Sequence, residues 1–227
     1  MRYAILLVIL GVLLVAAGLQ AGSWGIILFW LALDFVLLGI AHARGWHRLF
    51  GKRPDGTLPL WSWFLYLPLL VYTTLIWHLI RLLSRESRVD KLTEHIHLGR
   101  RLLPGELPLE VSRYIDLTAE FQEPGEFRKL AGYLAYPILD ASAPSAVELA
   151  EIVAEVGDGP IFIHCAQGHG RTGLFALALL LSRGEARSVE EGLSMLSKAR
   201  PGIRLNTLQR KCIESFANAC STAIPGE

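Results

Sequence analysis

The stretch Ile161-Phe162-Ile163-His164-Cys165-Ala166-Gln167-Gly168-His169-Gly170-Arg171-Thr172-Gly173 decides how the rest of this chain is read. Pro160–His164 is a short apolar run with the length of a buried strand, and Arg171–Ser182 is apolar on every side, as a central buried helix would be. Between them lies a turn with two glycines, Gly168 and Gly170. Glycines let the backbone fold tightly, so that successive N–H groups point inward and form a nest for an anion. The start of the following helix adds its partial positive charge and its unpaired amides. Arg171 contributes a planar fork that holds two oxygens of one phosphate. Cys165 lies at the floor of the same nest, where a positive field is expected to favour thiolate over thiol. A thiolate beneath a bound phosphate is a nucleophile aimed at phosphorus.

Working outward, His95–Leu98, Val111–Leu117 and Tyr133–Leu139 read as further strands. Ser145–Val156 reads as a helix, with Leu149, Ile152, Val153 and Val156 on one face and Gly157 as its stop. Ser188 with Glu191 is a capping box that opens a helix ending before Pro201. Asn206 with Gln209 looks like a second cap, opening a helix with Leu208, Cys212 and Phe216 on one side. Strands alternating with helices predict an α/β fold, a central sheet flanked by helices, over residues 92–227.

Residues 1–91 are different in kind. They hold nine Lys/Arg and four acids, net +5, whereas residues 92–227 are net −4. Mean hydropathy of the whole chain is +0.39, and most of the excess lies in front. Tyr3–Leu19 is uncharged and Trp24–Ala41 carries one charge, Asp34. Both come near the ~20 apolar residues a spanning helix needs. A secretory signal is the competing reading of residues 1–22. However, the apolar stretch exceeds the roughly 7–15 residues of a signal core, and a second one follows at once, so an uncleaved anchor is expected. Asp34 is expected near an interface or paired with a neighbouring helix.

The third stretch, Leu58–Leu83, is interrupted by Pro68 and rich in Trp and Tyr. Arg2, the Arg44–Arg53 cluster and the Arg81–Lys91 cluster all favour the cytoplasmic side, which three full crossings cannot satisfy. The front region is therefore expected to be α-helical, with two transmembrane helices plus an interfacial or re-entrant segment; three spans are the alternative.

Cys165, five residues and Arg171, with His164 in front, glycines inside and Thr172-Gly173 behind, resemble the signature of the protein tyrosine phosphatase superfamily. Tyr133–Asp140 is similar to the acid-loop segment of its dual-specificity branch, and the resemblance spans about His95 to Phe216. It implies that Cys165 attacks phosphorus, and that Arg171 and the backbone of Ala166, Gln167, Gly168, His169 and Gly170 hold the phosphate. Asp140 is the implied general acid, with Asp116 as rival. The Ala141-Ser142-Ala143-Pro144 segment after Asp140 is small enough to move as a lid.

Thr172 is placed to donate to the cysteine sulfur. His164 either orients the loop or is simply a buried histidine, and Gln209 either positions water or caps its helix. Gln167 and His169 should line the rim.

No cofactor and no metal are expected: seven histidines and three cysteines form no cluster with zinc spacing. A reduced thiol suits a cytoplasmic location for the catalytic domain, on an integral membrane chain. The partners expected are the membrane and a phosphoprotein substrate. Alternatives are a lipid or small-molecule phosphate, such as phosphatidylglycerol phosphate or an inositol phosphate, and a silent phosphate-binding module. Polyphosphoinositides are disfavoured by the absence of lysine between Cys165 and Arg171. The absence of a Lys/Arg stripe in the soluble part argues against nucleic acid.

Overall fold

The architecture comes from a computed structural model, which describes residues 2–108 and 110–223. The chain opens with α1 (Arg2–Gln20), a 3-10 turn at Gly22–Trp24 and α2 (Gly25–Arg44). These helices form a close hairpin. A Cβ on Gly11 would lie 3.1 Å from the Ala32 carbonyl oxygen, and one on Gly39 would lie 3.1 Å from that of Ala4. Small residues at both places let the two backbones approach, the usual way apolar helices pack in lipid. Both helices are long and apolar enough to cross a membrane; most of α1 is exposed, whereas α2 is exposed mainly at Ile26, Ile27, Phe29, Leu33 and Ile40 and buried where it meets its neighbours.

The third apolar stretch divides as its proline suggests. α3 (Leu60–Leu65) ends at Tyr66, and α4 (Leu67–Leu83) begins with Pro68 in its first turn, where no intrahelical N–H is needed. The first turn of a helix has unpaired amides. Asp34 of α2 supplies an acceptor for one of them: its Oδ2 takes the Leu69 N–H at 3.2 Å. The buried carboxylate thus pairs with a neighbouring helix, the structural role expected of it.

Five strands follow: β1 (Val89–Lys91), β2 (Ile96–Arg100), β3 (Arg113–Thr118), β4 (Tyr133–Ile138) and β5 (Ile161–Cys165). Their order in the sheet is β1-β2-β5-β3-β4, antiparallel only between β1 and β2. The sheet therefore begins at Val89, ahead of residue 92. Pro137 is tolerated in β4 because that strand is an edge.

The helices are α5 (Gly125–Arg128), α6 (Ala146–Glu155), α7 (Gly170–Ser182), α8 (Val189–Ala199) and α9 (Thr207–Ala223). The capping readings at Ser188 and Asn206 hold, though the Glu191 carboxylate reaches back to Arg187 N–H, and Ser145 caps α6 in the same way. Ser145 accepts from Glu148 N–H and Ser188 from Glu191 N–H. Asn206 Oδ1 accepts from Leu208 and Gln209 N–H, while Gln209 Oε1 accepts from Asn206 N–H.

α6, α7, α8 and α9 cover one face of the sheet. Alternation along β5 sends Ile161, Ile163 and Cys165 into that core, and Phe162 to the other face, among Leu102, Tyr114 and Phe127. α7 is buried from Arg171 to Leu180, as its all-round apolar sequence predicts.

The front and back halves are joined. Phe50, Leu58, Tyr66 and Leu69 share a core with Ala119 and Leu139, which follow β3 and β4. Lys52, read from the sequence as one charge of a cytoplasmic basic loop, is instead buried, its Nζ 2.5 Å from Asp116 Oδ2 and 2.9 Å from Thr118 Oγ1.

Candidate active site

β5 is the central strand, so its C-terminal end opens between β2 and β3, the crevice where open parallel sheets bind ligands. Cys165 ends the strand and is buried. The turn that follows is held from outside through its carbonyls. The Cys165 carbonyl accepts from Arg101 N–H at 2.8 Å, that of Ala166 from the Trp77 indole at 3.0 Å, that of Gln167 from Arg200 at 2.9 Å and that of His169 from Gly173 N–H at 2.7 Å. Carbonyls turned outward leave the loop amides facing inward, as an anion nest requires. Gly168 has φ +75°, and a Cβ there would run into the Gly99 backbone, so the turn needs glycine for both reasons.

Arg171 is buried at the start of α7, and a carboxylate the sequence analysis did not single out positions it. Glu120 accepts from Nη1 at 2.8 Å and from Nη2 at 2.7 Å, and the Ile138 carbonyl accepts from Nη1 at 2.9 Å. Asp140 Oδ1 lies 3.3 Å from Nη2. Burial opposes the charge on Arg171, but Glu120, and then Asp140, outweigh it and raise the guanidinium pKa. Nε is buried with no partner among the described residues. The fork is thus braced by Glu120 on one edge and keeps a donor on another.

Glu120 did have a signal. β3 and β4 are parallel neighbours, and each is followed two residues later by a carboxylate, Glu120 and Asp140.

Asp140 is 80 % exposed at the side chain and lines the same cavity as Cys165 and Arg171. The segment after it is not the free lid its small residues suggest. The Ala141, Ser142 and Pro144 carbonyls accept from Asn206, Gln209 and Cys212 of the last helix and its cap. Ala141 takes φ +57°, unusual without glycine, where the chain turns.

The rival Asp116 is fully buried on Lys52, Thr118 and Tyr133, away from the cavity. Burial alone would raise its pKa, but Lys52 and His164 outweigh it and pull it down.

The remaining expected site residues divide. Gln167, His169 and Gly170 line the cavity. The His169 imidazole is tied at 2.7 Å to Glu86, which also binds Arg200. Thr172 is buried, but its hydroxyl has no partner among the described residues, so the expected bond to the Cys165 sulfur is not formed in this structure. Gln209 caps α9 and sits beside Gly170, its Oε1 3.0 Å from where a Cβ there would be.

His164 is buried between the Tyr114 and Phe162 rings, and burial lowers its pKa despite Glu123 and Asp116 nearby. Its Nδ1 lies 3.4 Å from the Cys165 carbonyl, which suits an orienting role. Asp116, Glu123 and His164 converge closely enough to consider a metal ion. Lys52 and Arg101 already neutralise the two carboxylates, so the group fits a structural network better than a cation site.

Residues 108–189, from before β3 to the start of α8, match a family described as the tyrosine phosphatase family. Solved structures with the same fold include Tk-PTP in its active form, with 23% identity, 58% of this chain and 97% of that one covered, and a TM-score of 0.50. Human DUSP28 shares 17% identity over 60% of this chain and 97% of its own, with a TM-score of 0.52. PTPMT1 in complex with PI(5)P shares 17% over 60% and 99%, with a TM-score of 0.51. Among curated proteins no sequence matches this chain significantly.

Proposed function

From the premise that the sheet-bearing part of this chain belongs to the protein tyrosine phosphatase superfamily, we propose that the protein is a membrane-anchored, cysteine-dependent phosphomonoester hydrolase. The observation that carries this reading is the convergence of Cys165, Arg171 and Asp140 on one cavity at the end of the central strand. The phosphate sits in the nest of loop amides and on the free edge of Arg171, while Glu120 keeps the guanidinium plane in place. The Cys165 thiolate attacks phosphorus in line with the leaving oxygen. The S–P bond forms, the P–O bond breaks, and Asp140 gives its proton to the departing alkoxide. Asp140, now a carboxylate, takes a proton from water as that water attacks the cysteinyl-phosphate. Inorganic phosphate leaves, and the thiolate and the protonated acid are restored. Positioning and electrostatics carry most of this chemistry, because the phosphoryl transition state is loose.

The front helices act as the anchor in this reading. Support comes from the exposed apolar residues of α1 and α2 and from Arg44, Arg48 and Arg53 just after α2, Lys52 between them being neutralised by Asp116. Phosphorylated tyrosine, serine and threonine side chains and lipid phosphates are all phosphomonoesters that this chemistry can hydrolyse. The walls of the cavity decide among them.

The full-length protein in detergent, with reductant and a chelator, should hydrolyse an aryl phosphate and be inhibited by vanadate. Absence of turnover by the wild type under those conditions, with binding of phosphate retained, would leave a silent phosphate-binding module.

A further inference from the structure

The cavity above Cys165 has a volume of about 520 Å³, and one of its walls is foreign to the sheet domain. Leu6 and Leu7 of α1, Phe35 and Leu38 of α2, and Tyr72 and Ile76 of α4 face Cys165 and Arg171 across it. The apolar helices therefore form one side of the reaction chamber.

The chamber also has a side entrance. α2 packs against both α1 and α4, but α1 and α4 share no comparable interface. Tyr3 and Leu6 on one side of that gap, and Tyr72, Ile76 and Ile80 on the other, line the cavity and are exposed as well. They mark its mouth. The outward surfaces of the same helices are apolar, so the mouth opens where lipid would lie. It lies at the α1 N-terminal and α2 C-terminal end of the hairpin, beside Arg44. That is the headgroup level of an anchor in the proposed orientation.

The charges in the chamber limit what can enter. Among the described lining residues Arg171 is the one Lys or Arg, the acids are Glu120 and Asp140, and of the two histidines His169 is already tied to Glu86 while His42 belongs to α2. One phosphate is matched and a second is not. Apart from the charged residues, Gln167 and His169 of the turn, and Tyr3, His42, Tyr72 and Thr73 of the helices, the lining is apolar, with Leu38, Trp77, Phe121 and Leu139 among it, so a ring of hydroxyls or a peptide backbone finds few partners. A polar substituent beside the ester would lose its hydration without replacement.

We propose that this chamber is the binding site for a lipid phosphomonoester that enters sideways between α1 and α4. Its single phosphate is carried on a lipid alcohol without a second charged headgroup, and its apolar part rests against α1, α2 and α4. The proposal rests on the phosphatase reading and narrows it. A diacylglycerol phosphate and an isoprenyl monophosphate share this chemistry.

The test uses the full-length protein in mixed micelles. Phosphate release is measured from phosphatidate, from an isoprenyl monophosphate, from a phosphatidylinositol phosphate, from a phosphotyrosine peptide and from a soluble aryl phosphate. The expected result is that phosphatidate or the isoprenyl ester exceeds the inositide and the peptide at least tenfold in kcat/KM. Whichever of the two is faster identifies the source of the shared chemistry. Leu38→Trp and Ile76→Trp, which fill the chamber from two different helices, should each lower the ratio of lipid to aryl-phosphate turnover at least tenfold.

Failure of the wild type on the aryl phosphate defeats the phosphatase reading itself. Aryl-phosphate turnover combined with a preference for the peptide or the inositide overturns the lipid assignment alone. A lipid-to-aryl ratio unchanged in both tryptophan variants overturns the location.

Discussion

Helices α1 and α7 make an instructive pair. Each has a single charged residue, an arginine at its first or second position, and each is apolar on all sides. α7 is buried along ten consecutive residues, whereas α1 leaves Leu6, Val12, Leu13 and Leu19 exposed. The 13 residues of α7 make roughly 20 Å of helix and the 19 of α1 roughly 28 Å, close to the thickness of a hydrocarbon core. A helix without a polar stripe must be surrounded by apolar matter. Length and neighbours decide whether that matter is protein or lipid.

The strongest way to separate the two regions is at the chemistry. Cys165→Ser should lower kcat by at least roughly 10³-fold with the fold intact, because a serine hydroxyl stays protonated where a thiol in the nest ionises, and is a far weaker nucleophile. Phosphate release and a circular-dichroism melt check both halves of that statement.

Next in size is the contact that joins the regions. Lys52→Met leaves the Asp116 carboxylate buried without its ammonium partner and should destabilise the protein by about 3–5 kcal/mol. If the melting temperature is unmoved, the loop after α2 is not part of the sheet domain's structure.

The helix comparison itself is sharpened by two truncations of the same residue type. Leu177→Ala in α7 should cost about 3 kcal/mol. Leu13→Ala in α1, where the side chain is 60% exposed, should cost less than about 0.5 kcal/mol in denaturant melts of detergent-solubilised protein. Equal losses would mean that α1 is a core helix.

Asp140→Asn should slow an alkyl phosphate about 10²-fold and an aryl phosphate with a good leaving group much less. Equal slowing of both would move the acid elsewhere.

The smallest effect is on pH dependence. Burial holds His164 below its ordinary pKa, so the unfolded chain binds the proton better and stability falls as pH drops below about 6.5. Asp116 is also held below its ordinary value, so its contribution is present above about pH 4 and is lost as pH falls further. Melting temperature should decline from pH 7 to pH 5, and less steeply in His164→Gln; identical slopes would remove His164 from the account.

What the sequence disclosed was local. The strand, the two-glycine turn and the helix around Cys165 are contiguous, and the caps at Ser188 and Asn206 lie within three residues of what they cap. What it withheld depends on strand order and distant pairs. β1 is three residues long and too short to show alternation. Glu120 meets Arg171 across 51 positions, and Lys52 meets Asp116 across 64. Trp77 read as an interfacial aromatic, and its reach to Ala166 could not be seen without the fold.

That indole has a practical consequence. It ties the turn at Ala166 to α4, and the Arg101 guanidinium stacks on the same ring. A protein trimmed after α4 to make it easy to purify would lose this brace, and with it one whole wall of the reaction chamber. Rates and substrate preferences measured on such a fragment would describe a looser, more permissive catalyst than the intact one.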